Sequence, residues 1–399
     1  MIQRLVYWSR VDLDRDNGPG INEREFIRAA ARRLGGGFLV LSPTQFAGPT
    51  LQEARSLGVQ VANCDPVREP LRSLKRIKAH EPEILVSRIH PAPLDIYGLA
   101  KSSRIPLALK TVGLGSLTRG RVGTMQERLV ARALQDFAAP AVRVAVAVDS
   151  CTPEIATHLE NRYSLRQRLR VIPNAVDVAR FSPGPRDPEL RERLDLGDRS
   201  PVIGVASARI VQRGGNLLLS LADRLLREYP DAVMLVIGDG QGREVLADDV
   251  RIRGMGQSVR LVGHIPFNDL PRYIRLFDVA LAHDDPAHQA LVGNSSQKVR
   301  QFVASGVPVV ADTVGNEFLE SEGLGVRVDF AESGRVIEAI KKCLSLTLHA
   351  PSPSTFATRA ARFARRELST KIALELRLTF WTEQLETLRR RNDTARRRA

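Results

Sequence analysis

The clearest chemistry in the chain is carried by Ser295-Ser296-Gln297-Lys298, ahead of a run that continues to Ala304. Serine before such a run is a favoured helix N-cap. The free N–H groups beyond it, with the helix dipole behind them, attract an anion. Lys298 falls in the first turn and adds a point charge for a phosphate. Gly306 then stops the helix, and Val307 to Val310 read as the following strand. Residues suited to proton transfer lie in the first half. His90 stands just beyond the run Glu83–Arg88, and Asp16 opens the loop Asp16-Asn17-Gly18-Pro19-Gly20. Either side chain can accept a proton from a hydroxyl. Asp14 and Asp95 share that chemistry, and spacing does not separate the four. Gly18 and Gly20 let backbone approach a ligand, and Gly113, Gly115 and Ser116 offer further backbone and hydroxyl donors. The G-x-G-x-x-G dinucleotide spacing is absent from the Gly18 loop.

These residues need a scaffold of alternating strands and helices. Strands are expected at Leu5–Trp8, Gly37–Leu41, Val59–Val61, Glu83–Arg88, Pro106–Lys110 and Val142–Val148. Asn22 can cap the first helix, with Phe26, Ile27, Ala30 and Leu34 on its buried face. From Pro201 a second cycle begins with Val202–Ser207. Beyond Gly215 comes a helix carrying Leu218, Leu219, Ala222 and Leu225, then Ala232–Ile237, Val259–Val262 and Phe277–Ala282. Such α/β units build largely parallel sheets, which bind ligands at the carboxyl ends of their strands. His90, Lys110 and the Gly113 segment fall at such ends. The chain is longer than one core usually supports, so two domains are expected. The proline-bearing stretch Arg170–Pro183 reads as the connection between them. The expected divisions are 1–178, 179–369, and a terminal helix with a basic tail at 370–399.

Charge and composition narrow the partners. The 59 Lys+Arg exceed the 45 Asp+Glu, giving a formal charge of +14. Such a field attracts nucleotide phosphates, nucleic acid or an anionic membrane face. Only five tyrosines, without aromatic-basic interleaving, argue against nucleic acid. Cys64, Cys151 and Cys343 have neither zinc-ligand spacing nor an even count, which fits a reducing compartment. No apolar run approaches the ~20 residues of a membrane span, and the amino terminus reads as a strand. The expectation is a cytoplasmic protein, peripheral at the inner membrane face.

Several motifs occur in a familiar order. Arg170-Val171-Ile172-Pro173-Asn174-Ala175-Val176-Asp177, with Phe181 and Pro183 beyond, resembles the V-I-P-N-G-V-D … F-x-P signature of GT-B glycosyltransferases, particularly family 4 (group 1). Ala208 to Gly215 resembles that family's G-R-L-V-x-x-K-G element. Val259 to Pro266 resembles V-x-f-x-G-x-v-P, and Lys298 to Val310 resembles K-x-x-E-x-x-A-x-G-x-P-V-V. The serine-serine-x-lysine version is also similar, over a short stretch, to the xanthan-pathway glucuronosyltransferase. The resemblance implies two Rossmann-like domains facing a cleft, with a C-terminal helix crossing back to the first. It implies that Arg209 and Arg213 hold the donor diphosphate and that Gly263 and His264 meet the nucleotide base. Ser295, Ser296, Lys298 and Gln301 would complete the donor site. Gly18, Gly20 and Gly113 would face the acceptor, and His90 and Asp16 would serve catalysis. Five positions depart from the family pattern, the first being Ala175 in place of its glycine. Val112 stands where a histidine is usual and Gly214 where a lysine is. Gln301 replaces a glutamate, and Gly293 occupies the position of its upstream partner.

The implied reaction is hexosyl transfer from a nucleoside-diphosphate sugar, UDP-linked by preference, to a hydroxyl of a saccharide or lipid-linked acceptor. It would serve bacterial surface polysaccharide or glycolipid synthesis and need no metal or further cofactor. Two other readings compete: a GT-B nucleotide-sugar epimerase, and a sugar-nucleotide-binding protein whose catalytic centre has decayed.

Overall fold

The computed structural model describes every residue except 17, 44–47, 90–93, 112–123, 207–209, 241, 349–352 and 399. The chain forms two compact units. The first comprises Met1–Asn174, Leu291–Gly293 and Thr370–Ala399; the second comprises Ala175–Ala290 and Asn294–Ser369.

The first unit holds a seven-stranded parallel sheet of β1 (Leu5–Trp8), β2 (Phe38–Ser42), β3 (Gln60–Asn63), β4 (Ile84–Arg88), β5 (Leu107–Lys110), β6 (Ala147–Ser150) and β7 (Leu169–Val171). Their order is β3-β2-β1-β4-β5-β6-β7, so the winding reverses between β1 and β4. One face packs Phe26, Ile27 and Ala30 of the helix Gly18–Leu34 together with Leu378, Phe380 and Trp381 of the helix Thr370–Arg398. The Phe26 and Trp381 rings meet edge-on at 6.5 Å. The opposite face packs Ile77, Leu99, Ala141 and Val142 from three other helices. The inner strands, buried on both faces, are apolar almost throughout, as parallel strands must be. The edge strands β3 and β7 stay partly exposed and carry polar residues.

The second unit holds a six-stranded parallel sheet of β8 (Val202–Ala206), β9 (Val233–Ile237), β10 (Val259–Gly263), β11 (Val279–Ala282), β12 (Val309–Ala311) and β13 (Gly325–Arg327). The order β10-β9-β8-β11-β12-β13 reverses between β8 and β11. Gly204 is required in β8, because a Cβ there would lie 2.0 Å from the Phe277 ring.

Three local differences from the sequence reading have physical causes. The first helix starts at Gly18, so Asn22 lies inside it and donates instead to Asn174 Oδ1 at 2.9 Å. Pro19, with its fixed φ, suits a helix's first turn. Val142 and Val144 belong to the helix Met125–Val144, not to a strand, and β6 begins only at Ala147. Their β-branched alternation mimics a strand, yet Val142 packs with Ala138 and Ala141 as a helix face does. Finally, residues 175–178 group with the second unit. The Val176 N–H donates to Leu368 O at 2.9 Å, and Gln297 Nε2 donates to Ala175 O at 3.3 Å.

Candidate active site

In the second unit, the helix Gln297–Ala304 leads back into β12, which puts its N-terminus toward the carboxyl end of the parallel sheet. Ser296 occupies the N-cap position but its side chain makes no capping bond. Asn294 Oδ1 instead accepts the Ser296 N–H at 3.1 Å, forming a local turn that competes with the serine cap. The helix is pinned from inside by Arg300, buried at 5% exposure, which donates to Ser296 O at 2.9 Å and Asn316 Oδ1 at 3.3 Å. Ser295, Ser296 and Lys298 are half-buried on the first turn, whereas Gln301 is buried one turn on. Gly263 ends β10 with φ +82°, a conformation that favours glycine, and the exposed His264 follows it.

Arg209 lies outside the described residues. Arg213 falls within the helix Ile210–Glu228, which begins earlier than its glycines suggest. Each glycine inside a helix costs about 1 kcal/mol against alanine, and burial of Leu218, Leu219, Leu221 and Leu225 offsets that.

One cluster here escaped the sequence. His283 follows β11, and its Nδ1 lies 2.7 Å from Asp312 Oδ1, just beyond β12. Asp312 Oδ2 accepts from Gln289 Nε2 and from the Asp284 N–H, both at 2.7 Å. The His283 ring stacks on Phe330 at 4.6 Å. Three donors thus hold a nearly buried carboxylate at the carboxyl end of β12, beside β11. The available signal was a polar residue directly after each of two adjacent apolar strands.

In the first unit, His90 and Gly113 lie outside the described residues. Asp16 accepts a 2.7 Å hydrogen bond from Arg24, and Gly18 and Gly20 form the first turn of the helix Gly18–Leu34. Inside this unit, ionisable groups gather at the strand ends. Lys110, at the end of β5, is 1% exposed. Its Nζ sits 3.8 Å from the Phe26 ring centroid, 3.9 Å from Glu23 Oε1 and 3.5 Å from Tyr7 Oη. Tyr7 Oη also hydrogen-bonds Glu23 Oε2. Burial lowers the Lys110 pKa to about 8, with the Glu23 carboxylate opposing the shift. Burial, then Glu23, push the Tyr7 phenol well above its ordinary range. On β6, Asp149 is fully buried and accepts from Arg377 Nε at 3.0 Å. Burial raises the Asp149 pKa against the pull of Arg377. Beside this network, a pocket at the carboxyl ends of β1 and β4 is lined by Trp8, Ser9, Arg10, Glu23, Arg88 and Ile96, among others.

Comparison with known proteins bears on both units. Residues 200–345 match the family model described as Glycosyl transferases group 1. The GDP-mannose-dependent alpha-(1-6)-phosphatidylinositol monomannoside mannosyltransferase of Mycolicibacterium smegmatis is 28% identical over 173 residues, 43% of this chain and 40% of that protein. The 2-deoxystreptamine glucosyltransferase of Streptomyces kanamyceticus is 27% identical over 225 residues, 56% of each chain. The aligned stretch thus spans about half the length of these relatives, 40% and 56%. Anabaena HepE, solved with UDP-glucose, superposes with a TM-score of 0.67 at 18% identity, over 97% of this chain and 99% of its own. At that identity the likeness is one of fold.

Proposed function

We propose that this chain, a GT-B protein whose residues 200–345 form a glycosyl transferases group 1 domain, moves a sugar from a nucleoside-diphosphate donor to an acceptor hydroxyl. The observation that carries this reading is the family match itself, which encloses the Gln297–Ala304 helix and its Lys298. Breaking a donor's glycosidic bond to the diphosphate leaves charge on the phosphates. First-turn N–H groups and a lysine can stabilise that charge without a metal ion. Ser295, Ser296, Lys298 and Gln301, with Arg209 and Arg213, are the proposed diphosphate contacts, and Gly263 and His264 the contacts to the base. UDP is the proposed nucleotide, in keeping with the UDP-glucose complex of HepE.

The acceptor falls to the first unit, where Gly18, Gly20 and Gly113 are proposed to bind it. Asp16 and His90 are the proposed proton acceptors. Relatives are named for transfer to phosphatidylinositol monomannoside and to 2-deoxystreptamine, which supports a polyol or saccharide hydroxyl on a glycolipid or polysaccharide precursor.

No described helix is long and apolar enough to cross a membrane. A peripheral association is supported by the helix Met125–Val144. There Met125, Leu129 and Phe137 are 81%, 65% and 56% exposed, beside Arg128 and Arg132. Apolar and basic residues on one exposed helix suit an anionic lipid surface. The whole reading is tested by following labelled sugar from a nucleotide-sugar panel into saccharide and lipid acceptors.

A further inference from the structure

We infer that the pocket between the ends of β1 and β4 is an anion subsite, in which Arg88, assisted by Arg10, holds the phosphate group of a polyol-phosphate acceptor. The inference rests on the acceptor-binding role proposed for the first unit. Three observations support it.

The first is position. Strand order reverses between β1 and β4, and the pocket sits at their carboxyl ends. Loops leaving adjacent strands in opposite directions open a crevice there, which is where open α/β sheets take ligands.

The second is charge balance. Asp149 is matched to Arg377 at 3.0 Å, and Glu23 to Lys110 at 3.9 Å. With its pKa at about 8, Lys110 remains mostly charged at neutral pH. Arg88 is then left over. Among the described residues it forms no ion pair or side-chain hydrogen bond. It is close enough to both Tyr7 and Lys110 for its charge to pull their pKa values down. A half-buried guanidinium without a carboxylate partner, opening on a pocket that Arg10 also lines, is complementary to an anion.

The third is the lining. Beside the two arginines the pocket presents Ser9 and Glu23, polar groups suited to one end of an acceptor whose remainder extends away. Glu23, on the same wall with Oε1 lacking a hydrogen-bond partner among the described residues, can accept from a hydroxyl next to the phosphate. Both a phosphate and a neighbouring hydroxyl are therefore specified.

The experiment is calorimetric titration with myo-inositol 1-phosphate and, separately, with myo-inositol. It is paired with flotation on phosphatidylcholine vesicles with and without phosphatidylinositol. Each is run on the unaltered chain, Arg88→Gln and Arg88→Lys, with UDP affinity measured in parallel. The expected result is that the phosphate ester binds and the parent polyol does not. Arg88→Gln should weaken binding at least tenfold, Arg88→Lys should weaken it less, and UDP affinity should stay within twofold. Binding to phosphatidylinositol vesicles alone, with the same Arg88→Gln loss, supports the subsite and identifies a lipid-borne phosphate. If neither phosphate form binds the folded protein, or Arg88→Gln leaves their affinity within twofold, the inference is overturned. Loss of UDP binding in the unaltered chain would instead remove the donor reading, which this comparison keeps separate.

Discussion

Replacing Arg377 by methionine isolates the strongest single electrostatic requirement of the first unit. Asp149 has no exposed surface, and the Arg377 side chain is 9% exposed, with Nε 3.0 Å from Asp149 Oδ1. Removing one member of a buried pair leaves an uncompensated charge, which costs about 3–5 kcal/mol. Lys110, also near Asp149, offsets a little of that. For a unit of this size the loss lowers the melting temperature by on the order of 10 °C. Both tryptophans of the chain, Trp8 and Trp381, are buried in this unit, so tryptophan fluorescence during urea or thermal unfolding reports it selectively.

Two controls sharpen the test. Arg377→Met combined with Asp149→Asn removes both charges and should recover more than half of the loss. Lowering the pH should also help the single variant. Asp149 has a raised folded-state pKa, so the penalty on its charged form is full above that pKa and fades as the carboxyl protonates below it. A single variant as stable as the parent, or a double variant no better than the single, would refute the buried-pair reasoning.

The Lys110 ammonium makes a second pH prediction. Its folded pKa of about 8 lies below the ordinary 10.5, so between these values the unfolded chain binds more protons and stability rises with pH. The rise is about 3 kcal/mol at most. Fluorescence-monitored urea unfolding from pH 7 to 10 should show it, and Lys110→Met should flatten it; an unchanged slope in the variant would exclude Lys110 as its source. The exposed Met125–Val144 helix should bring the chain onto anionic vesicles at low salt, with basic residues each contributing roughly 1 kcal/mol near the surface. Flotation that ignores lipid charge, or that survives Leu129→Glu with Arg128→Glu, would remove this helix from any membrane contact.

The sheet strands were legible because parallel strands are near-continuous apolar runs, and most of β1 to β13 show as such in the residue order. The helix Met125–Val144 was partly misread, since Val142 and Val144 satisfy a strand pattern locally and only packing with Ala138 and Ala141 selects the helix. The helix start before Val299 was legible from Ser295 and Ser296, but its cap was not. Asn294 takes the Ser296 N–H, a choice fixed by turn geometry that residue type alone leaves open. The buried Glu23, Lys110, Asp149 and Arg377 were invisible as a group. They are far apart in sequence, and charged residues read one at a time look like surface. The same holds for His283 and Asp312, which only the adjacency of β11 and β12 brings together.

The central claim is tested most directly by incubating the chain with isotopically labelled UDP-glucose, GDP-mannose and related donors beside lipid and saccharide acceptors. Product mass and released nucleotide are then measured together. Transfer of one hexose, with equimolar nucleoside diphosphate, is the expected result. Lys298→Ala should fold normally and bind that nucleotide more weakly by about 1.5–3 kcal/mol, the value of a charge-assisted contact. Isomerised sugar without any acceptor product, or nucleotide binding and transfer indifferent to Lys298, would contradict the account.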